Sequence, residues 1–142
     1  MKVGKPMKKQ LQTSELSAPS GHFSQAVVAP ARGRMVFISG MTARDTDGSV
    51  VGLGDIDKQT RQVCENLKRA MNAAGGTLDD IVRVDVFVRN IEHFDAIHRV
   101  RREYFTAVAP ASTMLEISKM VSPDMLIEIN AIAVVDDGNA AH

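Results

Sequence analysis

The run from Asp55 to Arg89 constrains the fold most, because its apolar period changes from helical to extended within a few residues. Asp55 is a helix-capping residue type. After it, Ile56, Val63, Leu67, Ala70, Met71 and Ala74 recur at three- and four-residue steps until Gly75-Gly76. This predicts a helix over 55–74. Beyond Thr77–Asp80, Val82, Val84, Val86 and Val88 alternate with Arg83, Asp85 and Arg89, the pattern of a strand with one buried face. A helix and a strand that each offer one apolar side must pack as layers.

The flanking segments extend this pattern. Arg34–Ser39 is short and β-rich and closes on Gly40, where the missing side chain admits close approach. Asp45, Asp47 and Gly48 mark a turn, and Val50-Val51 reads as a short strand across a hairpin. Asn90 can cap a second helix, with Phe94, Ile97, Val100, Tyr104 and Phe105 as its apolar stripe. Arg99, Arg101, Arg102 and Glu103 read as lying off that stripe, and Pro110 prevents continuation. Thr113–Lys119 and Met125–Val135 are the last two strands, around a turn at Ser122-Pro123-Asp124. The order strand, strand, helix, strand, helix, strand, strand predicts an α+β fold. Two helices cover one face of a single mixed β-sheet, and the other face needs cover, most simply from self-association.

The whole chain, residues 1–142, reads as one domain, with residues 1–12 and 136–142 expected to be loose. Seventeen basic and seventeen acidic residues cancel, so no net field exists to hold nucleic acid or an acidic membrane surface. The basic start is not followed by an apolar run, so no signal segment or membrane span is expected. Cys64 is the single cysteine, which excludes an internal disulfide framework and suits a reducing cytoplasm. It falls near the first helix's apolar stripe, as an inert buried thiol does. His22, His93, His98 and His142 lack paired metal-ligand spacing, and the glycines at 52, 54, 75 and 76 form no phosphate loop. Neither a metal nor a cofactor is expected.

Several blocks taken together resemble the Rid family of reactive-intermediate deaminases (YjgF type). They are Gly21-His-Phe-Ser-Gln-Ala-Val27, Phe37-Ile-Ser-Gly40, the helix residues from Gln59 to Gly75, Asp80–Val88, Pro110-Ala-Ser-Thr-Met-Leu-Glu116 and Leu126–Ala133. The likeness spans roughly residues 18–135. It implies a chorismate-mutase-like fold, a homotrimer with clefts between neighbouring subunits, and hydrolysis of reactive enamines or imines to a carbonyl compound and ammonia.

The resemblance also marks site residues and departures from the family pattern. Glu128 matches a carboxylate that orients the attacking water, and Gly40 a backbone position that approaches the ligand. Ser112 stands where catalytically competent members have an arginine that binds a substrate carboxylate. Phe23 replaces a tyrosine, Met114 replaces a cysteine, and Thr113 and His98 complete the candidate substrate-binding set. A serine is no permanent cation, so the expected substrate is an imine other than the standard 2-imino acid, unless another arginine, such as Arg32 or Arg44, has taken the role. Two alternatives stand beside a deaminase. One is a non-catalytic metabolite-binding trimer using the same cleft, and the other is an endoribonuclease, which the neutral charge disfavours. The bland readings are a salt-bridged surface Glu128, strand-entry roles for Ser112 and Thr113, Phe23 as a wall, and His22 and His98 as supporting groups.

Overall fold

The computed structural model describes residues 7–137. Its elements are β1 (Lys9–Leu11), β2 (Ala26–Val28), β3 (Arg34–Met41), α1 (Ile56–Ala73), β4 (Ile81–Val88), α2 (Phe94–Tyr104), β5 (Ala111–Glu116) and β6 (Ile127–Val135). The last four strands in this order form one mixed sheet, β3-β6-β4-β5. β6 runs antiparallel to both β3 and β4, whereas β4 and β5 are parallel and joined through α2.

The predicted local signals account for the elements. Asp55 caps α1 by accepting from Lys58 N–H at 3.0 Å. At the other end Gly75 takes a φ of 83° and Gly76 N–H donates back to Met71 O at 2.9 Å, which closes the last turn. Asn90 Oδ1 accepts from Glu92 N–H at 3.0 Å and starts a 3-10 turn, Ile91–His93, that leads into α2. Val84, Val86 and Val88 of β4 and Ile127, Ile129 and Ala131 of β6 turn to one side and pack with Val63, Leu67 and Met71 of α1 and Ile97 of α2. Each such buried side chain contributes about 1.5–3 kcal/mol.

Two expectations are corrected. Val50-Val51 is too short to form a strand of the sheet, although the hairpin is present: Val50 bridges antiparallel to Arg44, Asp45 N–H donates to Ser49 O at 2.8 Å and Val51 N–H to Ala43 O at 2.8 Å. Of the expected loose start, Lys9–Leu11 is instead a strand paired antiparallel with Ala26–Val28. Lys8 before it is 8% exposed, with Nζ donating to Ile81 O at 2.6 Å. Burial pulls its pKa down to about 8. Residues 1–6 and 138–142 of the expected loose ends lie outside the described residues.

The face of the sheet away from the helices carries Met35, Phe37 and Leu115, which are 61%, 70% and 53% exposed. Arg83, Asp85 and Thr113 share it, linked by bonds from Arg83 Nη2 to Asp85 Oδ1 (2.9 Å) and Thr113 Oγ1 (2.7 Å). Among the described residues no helix is long and apolar enough to cross a membrane.

Candidate active site

The sequence-predicted residues gather at two places on opposite sides of the sheet order. Glu128 and Gly40 are together. β6 alternates so that Ile127 and Ile129 enter the core while Glu128 points the other way, half-buried. Between Ile38 and Met41 the β3–β6 register shifts, so Ser39 and Gly40 have no partner in the ladder. A side chain on Gly40 would overlap Glu128 Oε2 and lie 2.8 Å from its Cδ, so glycine there leaves the space the carboxylate occupies. Glu128 forms none of the ion pairs present among the described residues. With Thr42, Arg44, Asn66, Arg69 and Met125 it lines an open cleft of about 690 Å³. Of the two arginines named as replacements, Arg44 borders this cleft, together with Arg69.

Phe23, His98, Ser112 and Met114 form the second place, at the β5 edge. Ser24 bridges to Ala111, its N–H donates to Pro110 O at 3.1 Å, and its hydroxyl donates to Ala109 O. His22 N–H donates to His98 Nδ1 at 3.0 Å, and His22 Nε2 lies 2.7 Å from Phe105 O and donates to it. These bonds fix Phe23 between α2 and the start of β5. Ser112 and Met114 pair with Val84 and Val86, on the helix side of the sheet, whereas Thr113 faces away from the helices. Met114 packs against the core.

His98 does not present a ligand-binding edge. It is 2% exposed, its Nδ1 is occupied by His22, and its ring lies against Gly21, where a Cβ would come within 2.6 Å of Cε1. It holds the segment that carries Phe23. Burial, aided by Arg101, Arg102 and His22, lowers its pKa to about 4. The folded pKa lies below the unfolded value, so His98 adds stability that is complete above about pH 6.5 and is lost as pH falls toward 4. We expect about 2 kcal/mol lost between pH 7 and 5, visible as a drop in melting temperature, with a flatter profile in His98→Gln.

The larger surprise lies behind Ser112. Arg101, read from the sequence as off the apolar stripe, is fully buried, and its Nη2 donates to Ser112 Oγ at 3.2 Å. Its position is legible in retrospect: Phe94, Ile97, His98, Arg101 and Phe105 are spaced by three and four residues and form the inward face of α2. Residue type argued for solvent, and helical position decided. A guanidinium placed at 112 would therefore meet another. Ser112→Arg should destabilise the fold by about 1–3 kcal/mol through overpacking before it can help any substrate. A thermal melt of that variant beside Arg101→Met/Ser112→Arg, which should recover part of the loss, checks this.

Cys64 is fully buried on α1, and burial lifts its thiol pKa to about 12, as expected for an inert side chain. A separate depression of about 530 Å³ lies between α1 and α2, bordered by Glu65, Lys68 and Tyr104, and contains none of the predicted site residues. Tyr104 Oη donates to Glu65 Oε2 there at 2.7 Å. No cluster of metal-binding side chains occurs among the described residues.

The profile of the endoribonuclease L-PSP family matches residues 13–135. This chain belongs to that family, which includes the Rid and RutC proteins. A RutC family protein of Pyrococcus horikoshii is 39% identical over 127 residues, covering 89% of this chain and 98% of its own. The 3-aminoacrylate deaminase RutC of Acinetobacter baylyi is 37% identical over 109 residues, covering 77% of this chain and 86% of its own. Among solved structures, a Rid-family protein of Yersinia pestis superposes with a TM-score of 0.83 at 31% identity, covering 91% of this chain and 99% of its own. The membership accounts for the sheet order and for the blocks around Gly40, Ser112 and Glu128.

Proposed function

We propose that this Rid-family chain hydrolyses a reactive imine or enamine to a carbonyl compound and ammonia. The observation that carries the reading is the Glu128 carboxylate, held beside Gly40 and open to a cleft, with no ion-pair partner among the described residues. Structural glutamates are usually solvated or paired, and one retained against a glycine at a cleft suits general-base work. Water adds to the carbon of a protonated imine while Glu128 takes its proton, giving a carbinolamine. Glu128 then returns that proton to nitrogen, the C–N bond breaks, and the carbonyl forms as Glu128 takes the hydroxyl proton, which passes to the departing ammonia. The activity for which the Acinetobacter relative is named, 3-aminoacrylate deamination, is the same class of reaction.

The working unit in this reading is a homotrimer of chorismate-mutase-like form. The Glu128–Gly40 side of one subunit then meets the Phe23–Ser112 side of its neighbour. Support comes from the separation of the two groups by β4 within one chain and from the exposed Met35, Phe37 and Leu115 on the sheet. The test generates 2-iminopropanoate, 2-iminobutanoate and 3-aminoacrylate in situ and follows their loss with semicarbazide as a trap. Acceleration of at least one is expected. No acceleration across this panel, together with saturable binding of a carbonyl product, would favour a non-catalytic metabolite binder.

A further inference from the structure

Arg69 borders both the Glu128 cleft and the depression between α1 and α2, and among the described residues no other does. Helix geometry produces this. Glu65, Lys68, Arg69 and Asn72 are spaced by three and four residues and form the α1 face that lines the depression, whereas Asn66 and Ala70 lie one step round and line the cleft. Arg69 stands at the boundary and is loosely held. Its Nη1 donates to Asn66 Oδ1 at 3.3 Å, an oxygen that Gln62 Nε2 reaches more closely at 3.0 Å, and it joins no ion pair among the described residues. Asn66 itself is fixed on the cleft side, with Nδ2 donating to Thr42 O and Arg44 O at 2.9 Å each.

The depression has the size and chemistry of a small-molecule site that imine hydrolysis does not use. At about 530 Å³ it falls within the roughly 300–1,000 Å³ usual for such sites. Leu78, which is 7% exposed, and the Tyr104 ring give it an apolar wall. Glu65 has Lys68 and Arg69 three and four residues ahead of it, the spacing at which Asp57 pairs with Arg61, yet it pairs with neither. Instead Glu65 Oε2 accepts from Tyr104 Oη at 2.7 Å. Burial and this bond push the phenol up to about 12, so Tyr104 keeps its hydrogen and pins the carboxylate, whose Oε1 has no partner among the described residues. Of the other carboxylates at the rim, Glu103 is bound by two nitrogens of Arg61 at 3.0 and 2.8 Å, and Asp79 faces Lys8. What remains is one anchored carboxylate and two unpaired cations, about 5–6 Å apart at Cβ. That is the complement of an ammonium and a carboxylate on neighbouring atoms. We propose that the depression is a second site, for a free α-amino acid with an apolar side chain, in which Glu65 holds the ammonium and Lys68 and Arg69 the carboxylate, and that its occupancy regulates the cleft by turning Arg69 away from it. The regulatory half rests on the reading of the Glu128 cleft as the active site, and the binding half does not.

The probe is L-leucine, titrated calorimetrically into the full-length protein, with 4-methylpentanoate and 3-methylbutylamine as its counterparts lacking the ammonium or the carboxylate. Leucine should bind saturably, and each counterpart roughly tenfold more weakly or worse. Glu65→Gln keeps an oxygen for Tyr104 but loses the charge, and should weaken leucine by roughly 10- to 100-fold. Lys68→Met, at an exposed side chain, should weaken it as well and decides the matter if Glu65→Gln does not fold. Glu128→Gln should leave leucine affinity unchanged. With whichever imine is turned over, saturating leucine should raise KM roughly fivefold or more and leave kcat nearly constant. Arg69→Met has already lost the cleft contact, so it should start from a raised KM and show no further rise. Leucine that does not bind, that binds no better than its counterparts, or that loses affinity in Glu128→Gln and not in Glu65→Gln overturns the second site. Binding with no change in KM overturns the regulatory half, as does an effect that persists in Arg69→Met. If no imine is turned over, the hydrolase reading falls, and the leucine titrations still decide the site.

Discussion

Glu128→Gln should lower imine turnover by roughly 10²–10⁴-fold, the range for a lost acid–base group, while subunit assembly and melting temperature stay near wild type. The separation of the two effects follows from the packing. The side chains of Ile127 and Ile129 on either side of Glu128 anchor β6 in the core, and the carboxylate points the other way, into the cleft. It takes part in no ion pair among the described residues, so an amide of the same shape breaks no stabilising contact. An amide cannot accept a proton from water, and the loss falls on kcat. Gly40→Ala is the companion variant, because its Cβ would overlap Glu128 Oε2 and displace the carboxylate without removing it. It should lose most of the activity, with the remainder recovering poorly at high substrate. Turnover within twofold of wild type in Glu128→Gln would remove this carboxylate from the chemistry.

How far the sequence could be read depended on whether each signal was local. α1 and β4 were legible because a helical and then an alternating period each persist for several repeats, and capping residues bound them at Asp55, Gly75 and Asn90. The orientation of Glu128 followed from the same alternation. The β1–β2 ribbon was not legible. Its strands are three residues each, Lys9–Leu11 is exposed throughout, and the pairing of Leu11 with Ala26 spans a long connection. Nothing in a short polar run says which distant segment will bond to it. Val50-Val51 failed in the opposite sense, since two β-branched residues look extended whether or not a partner strand exists. Here the pairing reaches only Ala43 and Arg44, too short a run to make a strand.

Around the candidate site, the resemblance named positions and said nothing of their directions. Ser112 does stand at the start of β5, but its oxygen is engaged from within by Arg101, a contact between the sheet and α2. His98 sits in the right neighbourhood yet is spent on His22 N–H. Both follow from the inward face of α2, where spacing placed His98 and Arg101 beside Ile97 although their polarity suggested otherwise. Helix geometry outranks side-chain type whenever the two compete, provided something in the interior can accept the polar group. His98 has such a partner at Nδ1, and Arg101 has one, among the described residues, for a single nitrogen.

Gln59→Leu should destabilise the protein by about 3–5 kcal/mol, more than truncating most apolar side chains of this core by one methyl group. Gln59 is fully buried on the first turns of α1. Its Nε2 donates to Gly52 O at 3.2 Å and Asp124 O at 2.8 Å, while Leu126 N–H donates to its Oε1 at 2.9 Å. One amide thus satisfies three backbone groups on two loops that no secondary structure pairs. Leucine preserves the volume and abandons all three; Gly52 O keeps its bond from Asp55 N–H at 2.9 Å, whereas Asp124 O and Leu126 N–H lose their partner at about 1–3 kcal/mol each. A fall in melting temperature of roughly 10 °C is expected for a domain of this size. The functional consequence is separate. Leu126 immediately precedes β6, so loosening it lets the start of the strand, and Glu128 two residues on, shift relative to Gly40. Turnover measured well below the lowered melting temperature should therefore fall several-fold, whereas Gln59→Glu at acid pH, where a protonated carboxyl can replace one donor, should recover part of it. A melting temperature unchanged by Gln59→Leu would mean that water replaces the amide on both loops and that β6 is positioned by the sheet alone.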